Sequence, residues 1–242
     1  MGGIDMADSI IKRIAALDWS SLQQTLDEQG YAKIPVLLDE DECNQVIKTY
    51  EQESFFRSTI NMSRYRFGIG EYKYFQAPLP ELLQQLREGF YPELAKTANR
   101  WQELLDRDAT YPAALPEFLD YCHQQEQLRS TPLILKYEAG GYNCLHQDLY
   151  GDVFFPFQLV FTLNQKEVDY SGGEFLLVEQ RPRAQSRGHV ITLEQGAGLI
   201  FPTNNRPVQG TRGYYRTTLR HGVSTITSGT RYTLGIIFHD AK

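Results

Sequence analysis

The sequence predicts a mainly β protein, a sandwich or jelly-roll core with helices packed on it. Two observations carry this. After residue 130 the chain becomes a series of short β-rich runs, "TPLILKY", "FQLVFTLN", "EFLLVE", "HVITL", "GLIFP" and "RYTLGIIFH". Clusters of Gly, Pro and Asn separate them ("SGGE", "EQGAG", "PTNNRP") and no helical pattern intervenes, which excludes a parallel sheet wound with helices. Before residue 130 the patterning is mostly helical. No repeat, low-complexity tract or linker divides the 242 residues. One domain over 1–242 is therefore expected, with a mostly helical part (1–130) and a β core (131–242).

The elements follow in order. Leu22, Leu26 and Gln29 precede Gly30, a helix stop. "GYAKIPVLL" reads as a short strand. Asp39 is placed to cap a helix through "EDECNQVIKTYEQ", where Cys43, Val46 and Ile47 share a face. "MSRYRFGIGEYKYF" alternates aromatic and polar residues and reads as extended chain with a Gly-bearing turn. Pro80 opens a helix, and "YPELAKTANRWQELL" and "PEFLDYCHQQ" read as two more. "LKYEAGGYNCLHQDLYG", Leu135 to Gly151, reads as strand, turn and strand, ending in a His-x-Asp pair.

Composition narrows the function classes. No window approaches the run of about 18 apolar residues that a membrane helix needs. "MGGIDMADSI" lacks the basic start and apolar core of a signal peptide, and Met6 stands where myristoylation needs Ser or Thr. Cys43, Cys122 and Cys144 form no CxxC pair, so free thiols in a reducing, cytoplasmic setting are expected. The net charge of −6 is uneven. Residues 181–231 hold eight arginines and one acid, Glu194, whereas residues 1–180 hold 15 basic and 28 acidic residues. The basic block either faces an anionic ligand or pairs with the acidic half.

Alternate residues of a strand share a face, so His146 and Asp148 can present an imidazole and a carboxylate to one point. Two histidines and a carboxylate form the facial set of non-haem Fe(II) oxygenases. The third ligand must come from His123, His189, His221 or His239. His221 is favoured because "HGVSTITSGTRYTLGIIF" follows it with Arg231 ten residues on, in a strongly β-patterned run. Two adjacent antiparallel strands would bring His221 and Arg231 into one barrel, with Thr233 facing the same way as Arg231. A guanidinium inside a barrel is costly unless an anion meets it, and a carboxylate meets it bidentately. Metal and arginine together point to a dicarboxylate co-substrate held between them.

His146-x-Asp148, a second histidine 73 residues after Asp148, then Val223, Gly229 and Arg231, resemble the 2-oxoglutarate- and Fe(II)-dependent oxygenases of the prolyl-4-hydroxylase-like group. "LKYEAGGYNCLHQD", "LNQKEVDYSGGEFLLVE" and "GAGLIFP" resemble its other landmarks, so the core likeness covers roughly residues 131–240. More narrowly, "FRSTINMSRYRFG", "NCLHQDLYGD", "EQRPRAQSR" and "LGIIFHDA" resemble the blocks of a prokaryotic family of such oxygenases described as oxidising damaged nucleic acid. The resemblance implies a double-stranded β-helix with His146, Asp148 and His221 holding Fe(II). It implies 2-oxoglutarate on Arg231, helped by Thr233 and Tyr137, and O₂ as oxidant. Thr162 departs from the group, which often has tyrosine there.

The expected activity is a dioxygenase hydroxylating a C–H bond of an anionic substrate, with damaged or alkylated nucleic acid as the family-derived expectation. A protein or peptide prolyl hydroxylase is the enzyme alternative, and a metal-free jelly-roll binding module the non-enzyme one. His239 lies at the chain end with no following arginine and reads as structural; His123 (helix) and His189 (polar loop) read as surface residues. Arg57, Arg64, Arg66 and Lys73, mixed with Tyr65, Phe67, Tyr72, Tyr74 and Phe75, either grip phosphates and bases or form an alternating strand on the barrel. Arg181, Arg183 and Arg187 read as a basic substrate loop or a solvated turn. Cys144 shares a strand face with His146 and is expected to line the site without ligating.

Overall fold

The computed structural model describes residues 9–108 and 110–242. Residues 1–8, on which the reading for a leader or lipid anchor rests, lie outside the described residues. The chain begins with α1 (Ile10–Ala15) and α2 (Trp19–Gln29). Asp18 caps α2 by accepting from Ser21 N–H at 3.0 Å, and Gly30 ends it at φ 84°. β1 (Ala32–Ile34) leads to α3 (Glu40–Thr49). A capping box starts α3: Asp39 accepts from Glu42 N–H at 2.7 Å, and Glu42 accepts from Asp39 N–H at 2.9 Å.

β2 (Phe56–Asn61), β3 (Gly68–Ile69) and β4 (Glu71–Phe75) come next. Here the structure differs from the sequence expectation, because Met62–Tyr65 is a 3₁₀ turn rather than extended chain. Asn61 Oδ1 accepts from Ser63 N–H at 3.1 Å, a local bond that competes successfully with the strand ladder. α4 (Glu81–Leu104) is a second difference: the two helices expected over this span are one, running through Pro92. α5 (Leu115–Gln124) follows. Among the described residues no helix is long and apolar enough to cross a membrane.

The remaining strands are β5 (Leu133–Glu138), β6 (Tyr142–His146), β7 (Phe157–Thr162), β8 (Tyr170–Gly172), β9 (Phe175–Gln180), β10 (Arg187–Ile191), β11 (Gly198–Pro202), β12 (Asn205–Gly210), β13 (Gly213–Val223) and β14 (Ile226–Ile237). Two antiparallel sheets result, the jelly roll of a double-stranded β-helix. The larger runs β1-β11-β7-β14-β5-β4-β2, with β8 also on β14; the smaller runs β10-β9-β13-β6-β3, with β12 on β13. His189 thus lies on β10, not in a loop, its ring edge-on to Tyr31 at 5.2 Å.

Period-two alternation assigns the faces. On β7, Phe157, Leu159 and Phe161 belong to the layer shared with the helices, where Leu83, Leu86, Phe90, Leu94 and Trp101 of α4 are buried. Val160 joins Phe175, Leu177, Leu199, Phe201 and Leu219 between the sheets. Covered on both sides, β7 reads as a nearly continuous apolar run. Buried Arg87 of α4 donates to the carbonyls of Ile237 (3.0 Å) and Phe238 (2.8 Å) and to Asp240 (2.7 Å), pinning the helix to the end of β14. His123 on α5 completes this knot at 3.0 Å from Asp240 while remaining partly exposed. His239 is fully buried and its Nδ1 accepts from Phe155 N–H at 3.2 Å.

Candidate metal centre and co-substrate pocket

β6 and β13 are neighbours in the smaller sheet, and His146 and His221 are directly opposed in register. Their ring centroids are 4.2 Å apart. Asp148 lies beyond the end of β6, so the expected pair on one strand is instead a strand end and the turn after it. Side-chain bonds hold that turn: Gln147 donates to the carbonyls of Leu219 (2.8 Å) and Asn204 (3.2 Å), and Tyr150 Oη donates to Asp148 Oδ1 at 2.6 Å. Asp148 Oδ2 is 3.1 Å from His221 Nε2, and Oδ1 is 3.5 Å from His146 Nε2. One ligand atom from each of the three residues lies within 4.8 Å of the others, a span a single metal ion bridges.

Each side chain is prepared for that use. His146 Nδ1 is 2.8 Å from the Cys144 carbonyl, which keeps a proton on Nδ1 and makes Nε2 the nitrogen turned to Asp148, the one that ligates once it is deprotonated. His221 has no such support: its Nδ1 is buried without a partner. Its ring is held by packing, stacked on Phe175 at 5.7 Å and met by Phe201 at 4.8 Å. Burial, with His146 beside it, pushes the His221 pKa down and favours the neutral, ligating form. Burial alone would raise Asp148, yet the adjacent His221 and hydrogen bonding from both imidazoles hold it well below the usual carboxylate range. For His146, burial opposes protonation but the bond to Asp148 prevails and raises its pKa.

Arg231 approaches from the other sheet. The sequence expectation placed His221 and Arg231 on adjacent antiparallel strands; β13 and β14 are consecutive but belong to different sheets. The chain crosses over at residues 224–225, so the two side chains face one cavity from opposite walls. Arg231 is 3% exposed, and its Nε and Nη1 have no hydrogen-bond partner. Its guanidinium carbon lies 5.8 Å from the Tyr137 ring and 5.9 Å from the Tyr170 ring. Gly173 permits this placement, since a Cβ there would stand 2.9 Å from Arg231 Cδ. Tyr137 opposes Arg231 in register, and Thr233 opposes both Leu135 and Thr162. Tyr137 Oη accepts from Asn143 at 3.2 Å, leaving its own proton free to donate. Burial and desolvation keep that phenol protonated.

The cavity holds about 320 Å³ and includes His146, Asp148, His221, Arg231, Tyr137, Thr233 and Cys144 in its lining. Thr162 lines only a smaller cavity shared with Arg231. Tyr150 and Gln158 are among the lining residues that escaped the sequence reading. Tyr150 stands two residues after Asp148, in the turn beyond β6, where strand alternation gives no signal. Gln158, the polar interruption in "FQLVFTLN", is buried with its amide nitrogen unpartnered.

The structure also divides the basic residues. Of the eight arginines in residues 181–231, Arg231 alone lines the cavity. Arg206 and Arg181 both bind Glu179, at 2.9 Å each, so part of the block pairs with the acidic half. Arg183 and Arg187 are exposed, and neither lines the cavity. Arg57 stacks over Tyr74 at 4.3 Å and donates to the Ser130 carbonyl at 2.7 Å, while buried Lys73 binds Glu53 at 2.6 Å. From the aromatic-basic stretch, Arg66, Phe67 and Tyr72 line the cavity.

Comparisons with known proteins bear on the family and the fold. A protein-family model, Oxygenase-NA, described as "Oxygenase, catalysing oxidative methylation of damaged DNA", matches residues 70–241. An uncharacterized protein of Mycobacterium tuberculosis, present in two strains, is 51% identical over 167 residues, covering 69% of this chain and 72% of the relative. A prolyl-4-hydroxylase from Pseudomonas putida shares the fold at TM-score 0.56 and 13% identity, covering 93% of this chain and 99% of its own. An oxidoreductase of the 2OG-Fe(II) oxygenase family from Burkholderia pseudomallei does so at 0.55 and 14%, covering 93% and 94%.

Proposed function

The chain belongs to the Oxygenase-NA family and is a 2-oxoglutarate- and Fe(II)-dependent oxygenase, and on that premise we propose that it hydroxylates a C–H bond of damaged or alkylated nucleic acid at the His146–Asp148–His221 centre. One observation carries the assignment of residues. A buried guanidinium with two unpartnered nitrogens faces, across one cavity, a cluster whose donors suit Fe(II). A dicarboxylate satisfies both ends at once.

The donor set fits the metal: two imidazole nitrogens and a carboxylate kept ionised by its neighbours. When bound, Fe(II) with 2-oxoglutarate and O₂ supplies the oxidation, the co-substrate leaving as succinate and CO₂. The chain's own groups bind and orient. In this reading Nε2 of His146, Nε2 of His221 and a carboxylate oxygen of Asp148 hold the metal. Arg231 would pair with the distal carboxylate of the co-substrate, Tyr137 would donate a hydrogen bond from its phenol, and Thr233 would add a hydroxyl beside it. Tyr150 fixes the Asp148 carboxylate, and Phe175 and Phe201 fix the His221 ring. Aromatic and aliphatic walls (Tyr72, Leu133, Val160, Phe201) exclude water from the reacting C–H bond. The nucleic-acid substrate is supported by the family description alone, since structures at 13–14% identity speak to fold and not to substrate.

The test has two stages. Anaerobic addition of Fe(II) and 2-oxoglutarate is expected to give the visible charge-transfer band of the chelate, abolished in His146→Ala. Succinate release is then measured with methylated oligonucleotides, proline-containing peptides and small metabolites. Release confined to oligonucleotides supports the substrate class, and release confined to peptides replaces it with peptide hydroxylation. Absence of the band in the wild type would refute the site assignment itself.

A further inference from the structure

The turn between β2 and β3 is built rigidly and displays its side chains outward. Met62, fully buried, anchors its base, and Met62 N–H donates to the Gly70 carbonyl at 3.0 Å. Asn61 caps the turn, and Phe67 N–H returns to the Met62 carbonyl at 3.0 Å. Arg66 sits at φ 60°, ψ 30°, a left-handed conformation that is unfavourable for a non-glycine residue and is held by these bonds. Gly68 lets the turn lie against β6, because a Cβ there would come within 2.2 Å of the Tyr142 carbonyl.

The turn presents Arg64, Tyr65, Arg66 and Phe67, all exposed. Tyr65 and Phe67 are 56% and 46% exposed, yet their rings stack on each other, with centroids 5.5 Å apart and planes 20° from parallel. Neither Arg64 nor Arg66 has an ion pair among the described residues. The neighbouring Arg57 and Lys73, by contrast, are consumed by internal contacts. The platform is also registered to the metal centre. The Phe67 carbonyl accepts from Cys144 N–H at 2.8 Å, and Cys144 precedes His146 by two residues, roughly 7 Å along a strand. Arg66 and Phe67 themselves form part of the cavity wall.

From this we propose that residues Arg64–Phe67 are a docking surface for single-stranded nucleic acid at the mouth of the active site, Phe67 and Tyr65 stacking on a base next to the one that enters the cavity and Arg64 and Arg66 meeting the flanking phosphates. The inference rests on the oxygenase reading of the cavity and specifies how its substrate is held. Charge selects this occupant: two guanidiniums without acid partners beside a flat aromatic face match phosphate and base in alternation. The chain as a whole is acidic, so the surface is a local exception to its net charge of −6.

The experiment follows binding of a fluorescein-labelled oligothymidine to the full chain by anisotropy over a range of salt. Phe67→Ala is expected to weaken binding about tenfold, within the range for loss of one stacked base. Arg66→Gly suits the left-handed backbone and removes the guanidinium together with its stem; it is expected to reduce the slope of log K against log salt by about 0.7. Arg216→Ala, at an exposed arginine on β13 outside the cavity lining, is expected to leave binding unchanged. The proposal is overturned if the wild type fails to bind at low salt, if Phe67→Ala and Arg66→Gly bind like wild type, or if Arg216→Ala costs as much. It is also overturned if the same losses appear with a proline-containing peptide and not with oligothymidine. The Fe(II)–2-oxoglutarate band, measured in each variant, separates the readings: a normal band with indifferent DNA binding sinks this inference alone, and a missing band in the wild type sinks the site assignment.

Discussion

His221 and Arg231 lie on consecutive strands, β13 and β14, yet in opposite sheets, and face the same cavity from its two walls. Any molecule that reaches both has to span the cavity from one wall to the other.

Arg231 carries the first prediction. A buried guanidinium with Nε and Nη1 unpartnered destabilises the protein alone and becomes favourable only with an anion beside it. Arg231→Met keeps most of the volume and removes the charge. The variant is expected to be more stable than wild type by about 1–3 kcal/mol in denaturant titration without co-substrate. Its 2-oxoglutarate half-saturation, followed by the chelate band, is expected to rise by roughly 100-fold, and 2-oxoglutarate is expected to raise the wild-type Tm but not that of the variant. A less stable variant that binds 2-oxoglutarate normally would make Arg231 a structural residue.

Tyr150 is a positioning residue for Asp148. Its 2.6 Å bond to Oδ1 orients the carboxylate, and burial together with the nearby Asp148 charge keeps the phenol protonated far above neutral pH. Tyr150→Phe leaves the ring packing and deletes only the donor. Fe(II) affinity, measured by competition with a chelator, is expected to fall about tenfold, with stability changed by no more than about 1.5 kcal/mol. Equal iron affinity in the two proteins would remove Tyr150 from the centre.

The crossover has its own acid-sensitive lock. Glu174 N–H donates to Ser224 Oγ at 2.9 Å, Ser224 N–H donates to the Glu174 carbonyl at 2.9 Å, and Lys166 meets the Glu174 carboxylate at 2.7 Å. The bonds from Lys166 and then Ser224 hold the Glu174 pKa down to about 2, against an ordinary 4.5. Because the folded pKa is depressed, this stabilisation is complete above pH 4.5 and is lost as pH falls towards 2. The carboxylate is partly exposed, so solvent screening reduces the contribution to about 1–2 kcal/mol. Wild type minus Glu174→Gln stability, measured from pH 6 to pH 2, is expected to shrink over that window, and a pH-independent difference would rule the lock out.

What the sequence made legible was local. Short β-rich runs marked β5, β7, β9, β10, β11 and β14, and the spacing of His146, Asp148, His221 and Arg231 marked the residues that the fold brings to one cavity. The sheet that receives each strand was not legible. β13 pairs with β6, β9 and β12 rather than with β14, and that choice depends on partners remote in sequence. Tyr150 and Gln158 were hidden for another reason: a buried hydrogen bond or an unpartnered amide exists only once the walls are assembled. β1, β2 and β4 likewise carry the first half of the chain into the larger sheet, across the boundary drawn at residue 130 by texture alone.

Pro92 shows tertiary packing overriding a local signal. Proline in a helix interior removes one i→i−4 bond and crowds the preceding turn, at a cost of about 3 kcal/mol, which is why the sequence reads as two helices. α4 nevertheless runs unbroken from Glu81 to Leu104, with Phe90, Tyr91, Leu94, Ala98 and Trp101 buried on both sides of the proline. Pro92 itself is exposed, so replacing it disturbs no core contact. Pro92→Ala restores the donor to the Glu88 carbonyl and is expected to stabilise the protein by about 1–3 kcal/mol in denaturant titration, with the Fe(II)–2-oxoglutarate band unchanged. Part of that gain is offset by the greater freedom alanine gives the unfolded chain. A destabilised Pro92→Ala variant would mean that the packing of α4 depends on the bend the proline imposes.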